Sequence, residues 1–384
     1  MREVNIGIYH PFNDLPDNYS LSHVVREQMH TLIEHGHECH FITSKGFHAE
    51  VPEGVIVHSV LTHDVKHEDF DEAISGMHCV FTHDVVYLPV YKNHDKAIRE
   101  AIEKHPDIKW LHWSHSAPNP SDPREPMKNS TYIGLNMWDL QRLAEQFGVP
   151  EAKCRLVYNP VSPDLFFDWH PFTRQLVDKY NLLDCELLFI FPFDTGRWEA
   201  KGGPKVLKLV QKLRDRKLNA KVVFINAAAN DKGRKQMVEE LQKQHEEYAV
   251  FTSLENEQYA ASVPRRVVRE LMEVGNVFPL LSQSEACSLT MLEAGLCGMI
   301  VILNADFPPF MEFGRQDLVF WMKVSSDRAA TNYGSQGEDG YYASAAQNLH
   351  AFYERQSPLR FKNRVQKRFN REFIWKQQLE PLLE

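Results

Sequence analysis

Short apolar runs alternate with amphipathic stretches along the whole chain. "VNIGIYH" (Val4 to His10) predicts a buried first strand. The following "SLSHVVREQMHTLIEHGH" sets Leu21, Val24, Val25, Met29, Leu32 and Ile33 on one helical face and stops at Gly36. "CHFITS", "VIVHSV", "CVFTHD", "KWLHWSH" and "YIGLN" read as further strands, several separated by helix-like segments. Strands alternating with helices predict a parallel sheet covered on both faces.

The series ends at "CRLVYNPVSPDLFFDWHPF" (Cys154 to Phe172), where Pro160, Pro163 and Pro171 oppose both helix and central strand, so this stretch is expected to connect two domains. The alternation then restarts with "LLFIFPF", a helix from about Pro204, "KVVFIN", a helix through "GRKQMVEELQKQ", "YAVFTS", "RRVVRELMEV", "VFPLLSQ" and "MIVILN". The tail "FKNRVQKRFNREFIWKQQLEPLLE" predicts one long helix, basic and then acidic. The expected fold class is α/β, with two Rossmann-like doubly wound domains at 1–160 and 171–365, a hinge at 161–170 and the tail helix at about 366–384.

A chain of 384 residues suits two such domains. The 52 acidic and 43 basic side chains leave a formal charge of −9, which gives no overall basic footprint for nucleic acid or anionic lipid. Six scattered cysteines without a CxxC pair read as reduced thiols of a cytoplasmic protein. No apolar run approaches the roughly 20 residues needed to span a bilayer.

Two segments carry candidate chemistry. In "VFPLLSQSEACSLTMLEAG" a strand runs through a polar loop into a helix that begins near Ser288 and ends at Gly298. Backbone amides of Cys287, Ser288, Leu289 and Thr290 at that helix start suit an anionic diphosphate. Glu285, in the loop, suits sugar hydroxyls, and Glu293, further along the helix, suits a ribose diol. The plainer alternative is a helix-capping Glu285 and a solvated Glu293. In "FPFDTGRWEAKGGPKVL", Arg197 and Lys201 precede a Gly-Gly pair that opens a helix, where cations would stabilise charge building on a leaving diphosphate. Two solvated surface cations are the alternative there.

Taken together, "VYNPVSPDLFF", "GRWEAKGG" and "LLSQSEACSLTMLEAGLCGMIVILN" resemble the retaining GT-B glycosyltransferases of the glycogen-synthase and glycosyltransferase-4 type, with their E-x7-E segment. The resemblance implies two domains facing a cleft, with the tail helix returning to the first domain. It implies a nucleotide-diphosphate sugar as co-substrate, a UDP-sugar first among them, and transfer to a hydroxyl acceptor with retention of configuration and without metal or other cofactor. Arg197 and Lys201 would hold the diphosphate, Glu285 the sugar and Glu293 the ribose. A first-domain histidine near the donor sugar is matched to His115. Two departures stand out: three residues rather than four separate Arg197 from Lys201, and "HPFNDLPDNYS" replaces a glycine-rich loop after the first strand. Acceptor binding at that loop is therefore expected to use side chains such as Asn18, Tyr19 and Ser20. His83 and Asp84, at another strand end, join the acceptor side, as does His112. Trp110 and Trp113 read as core ahead of a sugar platform.

Other readings fit less well. A dinucleotide oxidoreductase needs G-x-G-x-x-G after its first strand, which "GIYHPFNDLPDN" lacks. A sugar-nucleotide epimerase would want further acids and bases, and the presence of Arg197, Lys201, Glu285 and Glu293 together speaks against a non-catalytic nucleotide-sugar binding protein. "VYNPVSP", "GRWEAKGG", "TMLEAGLCG" and "HWSHS" also resemble, loosely, the bacteriophage α-glucosyltransferases that modify hydroxymethylcytosine, so DNA stands as an alternative acceptor that the net charge disfavours.

Overall fold

The alternation of strand and helix folds into two separate parallel sheets. The structure is a computed structural model that describes residues 3–16, 18–227, 232–283, 288–312, 318–324 and 337–384. The chain divides into one unit made of Met1–Ser162 with Arg368–Glu384 and another made of Pro163–Lys367.

In the first unit, β1 (Asn5–Tyr9), β2 (Glu38–Ser44), β3 (Ile56–Leu61), β4 (Cys79–His83), β5 (Lys109–Trp113), β6 (Ser130–Gly134) and β7 (Cys154–Leu156) lie in the order β3-β2-β1-β4-β5-β6-β7. Every pairing is parallel. Side chains alternate between two cores. Ile6, Ile8, Phe41, Phe81 and Trp113 meet the helix Ser20–Glu34 through Val25, Met29 and Leu32. Tyr9, Ile42, Val80 and Trp110 meet the helices Lys92–Lys104 and Met137–Phe147 through Ile98 and Leu143. Trp110 and Trp113 are thus core side chains on opposite faces, both fully buried.

The second unit contains β8 (Leu187–Asp194), β9 (Ala220–Ala227), β10 (Ala249–Phe251), β11 (Val277–Leu280), β12 (Ile300–Asn304) and β13 (Phe320–Met322), ordered β10-β9-β8-β11-β12-β13 and again parallel. Phe189, Phe191 and Phe224 face the helices Gly203–Asp215 and Gly337–Glu354. Leu188, Ile190 and Val223 face Pro171–Tyr180, Arg265–Val274 and Leu289–Leu296. Each sheet therefore has the dinucleotide-fold order, in which the strand sequence reverses beside the first strand and ligands bind past the carboxyl ends at that crevice. The reversal falls between β1 and β4 in one unit and between β8 and β11 in the other.

Two expectations change. The proline-rich connector is shorter than the sequence suggests, because Cys154–Leu156 adds an edge strand and Pro171 opens a helix as its first residue, where a missing N–H costs nothing. Residues 163–170 belong to the second unit, held by Asp164–Arg174 at 2.8 Å and by the Glu270 carboxylate, which accepts from the His170 amide at 2.9 Å. The tail is not one helix. Ser357–Arg368 ends before Asn370, whose extended backbone and side chain, accepting from the Phe373 amide at 2.8 Å, start a new helix at Arg371. Beyond it, Trp375, Leu379 and Leu383 enter the first unit's core, and the Leu383 carbonyl meets the His78 ring at 2.7 Å.

Cys39, Cys79, Cys154 and Cys185 are free and buried, and burial pushes each thiol above its ordinary pKa. No helix among the described residues is long and apolar enough to cross a membrane.

Candidate functional site

The basic loop of the second unit is built from the end of β8. Asp194 accepts from the Gly196 amide at 2.8 Å and starts the tight turn Thr195–Arg197. Trp198 then folds inward against Phe193 and Phe224, with ring centroids 5.5 and 5.2 Å away. This fold-back explains the glycine pair. A Cβ on Gly203 would lie 2.2 Å from the Trp198 ring, and Gly202 has φ +83°. The Lys201 amide donates to the Arg197 carbonyl at 2.8 Å, so the two cations stand one helical turn apart. The three-residue spacing that departs from the resembled family thus still brings them together. Arg197 is exposed and Lys201 half-buried; burial and then the Arg197 charge pull the Lys201 ammonium below its ordinary pKa.

A third cation at this loop escaped the sequence reading. Arg234, from the helix Lys232–Gln244, reaches Asp194 at 3.3 Å and lies so close over Gly196 that a Cβ there would be 2.5 Å from Nη2. Thr195, Gly196, Arg197, Glu199, Gly233 and Arg234 border a cavity of about 560 Å³. Asn226, buried at the end of β9, donates to Thr195 Oγ1 at 3.1 Å and to Ser253 Oγ at 2.8 Å, fixing the base of the turn to the neighbouring strand ends.

Of the second segment, Glu285 and Cys287 lie outside the described residues. Ser288 caps the helix Leu289–Leu296, its Oγ accepting from the Met291 amide at 3.4 Å and lying 3.0 Å from Thr290 Oγ1. Leu289 and Thr290 therefore occupy the first turn, where helix amides lack internal partners. Glu293 differs from the solvated acid considered in the sequence. It is only 29% exposed and forms an ion pair with Arg265, which opens the helix Arg265–Val274. Arg265 was not legible as a site residue.

At the switch point of the first unit the side chains are of another kind. His83, the last residue of β4, places Nδ1 2.9 Å from His115 Nε2, and His10, directly after β1, lies against Phe12. Burial, with some help from neighbouring histidines, lowers His83 well below the ordinary histidine value and His10 to about 3. Burial alone lowers His115 to about 4, so all three rings are neutral at pH 7. His10 was missed because nothing around it in sequence marks it.

Two expected acceptor-side residues are used internally. Asp84 has φ +59°, and its Oδ1 accepts from the amides of His115 and Ser116 at 2.7 and 3.3 Å, so it shapes the loop that carries His115. His112 is fully buried between Thr82 Oγ1, at 2.7 Å, and Ser130 Oγ, at 3.1 Å. Asn18 and Ser20 are exposed at the start of the helix Ser20–Glu34, beside the 45% exposed Tyr19.

No family model matches this sequence, and neither does any curated protein. Among solved structures, the chain is similar to a glycosyltransferase from Rickettsia africae ESF-5, with 12% identity, coverage of 100% of this chain and 98% of the other, and a TM-score of 0.36. Anabaena HepE in complex with UDP-glucose is similar at 11% identity, 99% of each chain and a TM-score of 0.35. The sucrose-phosphate synthase of Thermosynechococcus elongatus follows at 15% identity, 98% of this chain and 97% of the other, with a TM-score of 0.34.

Proposed function

We propose that this chain is a GT-B glycosyltransferase that moves a sugar from a nucleotide-diphosphate sugar, a UDP-sugar first among the candidates, to a hydroxyl acceptor with retention of configuration. One observation carries the reading. β8 and β11 are neighbours in the sheet, so the Arg197–Lys201 loop that follows the first and the helix start at Ser288 that follows the second emerge side by side at the switch point. An anion seated there meets two cations from one side and unpaired helix amides from the other, with Arg234 backing the loop.

Charge that builds on the leaving diphosphate is stabilised by groups already in place before reaction, and this needs no metal ion. Glu293, paired with Arg265, takes the ribose diol as part of a charge-balanced pair, and Glu285 takes the sugar. The acceptor hydroxyl is presented by the first unit, and its proton leaves with the departing phosphate. Retention, the roles of Glu285 and Glu293, and the independence of metal follow from the motif resemblance. DNA as acceptor is opposed by the charge distribution, since the formal −9 of the chain falls wholly on the first unit.

The test is a thermal-shift screen of wild type and Glu293→Ala against UDP-, GDP-, ADP- and CMP-sugars. Donor at a hundred times its Kd adds about 2.7 kcal/mol of stability. The expected result is a shift with UDP-sugar that shrinks in the variant and persists in EDTA. No shift with any nucleotide sugar would overturn the assignment, and a shift without transfer to any hydroxyl acceptor would leave a binding protein.

A further inference from the structure

The three histidines at the first unit's switch point leave buried hydrogen-bonding capacity unused. His10 is 3% exposed and His83 fully buried, yet both ring nitrogens of His10 and Nε2 of His83 find no partner among the described residues. Buried polar atoms without partners oppose folding, and a phenylalanine would fill the same place with less penalty. Their position also speaks for a ligand. They come from the ends of β1 and β4, the two strands between which this sheet reverses its order, and His115 from beyond β5 joins them through the His83 hydrogen bond.

The chemistry of the cluster selects the ligand. A neutral imidazole presents one donor and one acceptor nitrogen, the same pair of functions that a hydroxyl group offers in return. Phosphate or carboxylate would call for arginine or lysine, and the titratable neighbours that act on His10 and His83 are other histidines, His94 and His115 among them. The carboxylate next to His83 in sequence, Asp84, is turned to the His115 and Ser116 amides. Among the described residues no three His, Cys, Asp or Glu side chains converge as metal ligands, which argues against a cation. Phe12, 3.9 Å from the His10 ring, and Tyr91, at 5.7 Å, set aromatic rings against it.

We infer that His10 and His83 form the polar floor of a subsite for an uncharged, hydroxyl-bearing ligand, which, on the glycosyltransferase reading above, is the acceptor: a neutral saccharide or polyol rather than a phosphorylated sugar or a nucleic acid. The half-buried His115, bonded to His83 at 2.9 Å, orients that ring.

The experiment uses the full chain with histidine rings labelled with nitrogen-15. Imidazole resonances are followed during titration with a panel of neutral mono- and disaccharides and glycerol, with glucose 6-phosphate, and with a duplex containing hydroxymethylcytosine. A neutral saccharide should move the His10 and His83 nitrogens at saturation. His10→Phe should weaken that binding about tenfold, as loss of a hydrogen bond in a closed site does, and His10→Gln should recover part of it. His10→Phe should also melt at a higher temperature than wild type, whereas an imidazole that serves the fold would make it melt lower. Response to the phosphorylated sugar or the duplex alone, response to no probe, or a lower melting point in His10→Phe would each overturn the inference. UDP binding, measured by calorimetry on the same samples, reports separately on the donor reading.

Discussion

The two units share a strand order and differ in what they put at its reversal. In the second unit the crevice between β8 and β11 lies beside Arg197, Lys201 and a helix start, with Arg234 behind the loop at Asp194. In the first, the crevice between β1 and β4 holds neutral histidines. The contrast extends to composition: 16 of the 19 histidines and the whole formal charge of −9 belong to the first unit, and the second is formally neutral. On the readings proposed above, one scaffold serves twice, once for an anion and once for an uncharged partner. The topology decides where a ligand goes, and the side chains at the strand ends decide its charge.

Acid should separate the units most sharply. His10 and His112 are held at about 3, and His94 and His115 at about 4, against an ordinary value of 6.5. Because these folded-state values are depressed, the unfolded chain binds more protons between them and 6.5, so the stability they leave intact above pH 6.5 is lost as the pH falls toward 4. At pH 5 each such histidine costs about 2 kcal/mol, enough together to unfold a domain of ordinary stability. Calorimetry from pH 7 to pH 5 should show one transition moving far down and one staying, with proteolysis mapping the early cuts to residues 3–162. Cuts confined to the second unit would break the contrast.

For the anion side, Lys201→Ala should cut turnover on the order of 100-fold or more while the fold persists, as removal of a group that stabilises transition-state charge does. Steady-state kinetics with the donor found in the screen checks this, and wild-type turnover would remove Lys201 from the site. A smaller effect is expected of Gly203→Ala. The added methyl meets the Trp198 ring, displaces the loop and costs about 1 to 3 kcal/mol, read as a lower melting point of the second unit with the first unchanged. Smallest in stability is Glu293→Ala. Its partner Arg265 is 85% exposed, so the pair contributes at most about 1 kcal/mol. Donor affinity should fall nonetheless, and a variant that binds UDP-sugar as tightly as wild type would take Glu293 out of the ribose site.

How much could be read beforehand depended on how local each feature is. The helix Ser20–Glu34 was legible because Leu21, Val25, Met29 and Leu32 repeat at helical spacing within one turn after another. That Arg197 and Lys201 share one loop was legible because the loop, the glycine pair and the helix lie in one run of chain. Asp84 misled, since a carboxylate at a strand end looks alike whether it faces a ligand or accepts from amides some 30 residues away. The tail misled because one polar residue, Asn370, outweighs a continuous amphipathic pattern by giving the next helix its cap. His10, Arg234 and Arg265 carried no local sign at all, as each acquires its place through a partner on another element.

By itself, then, the sequence determined the alternation of strand and helix, the point near Pro160 where it restarts, and the residues that bring charge to the second unit's loop. These follow from side-chain periodicity and from backbone chemistry, which act over a few residues. Only the tertiary structure decided which strand ends become neighbours, that the loop after β8 lies beside the helix after β11, and that His10 and His83 stand at adjacent strand ends with His115 bonded to His83. Strand order depends on how right-handed crossovers stack over the sheet, and burial, which leaves those histidines neutral, exists only once the layers have closed.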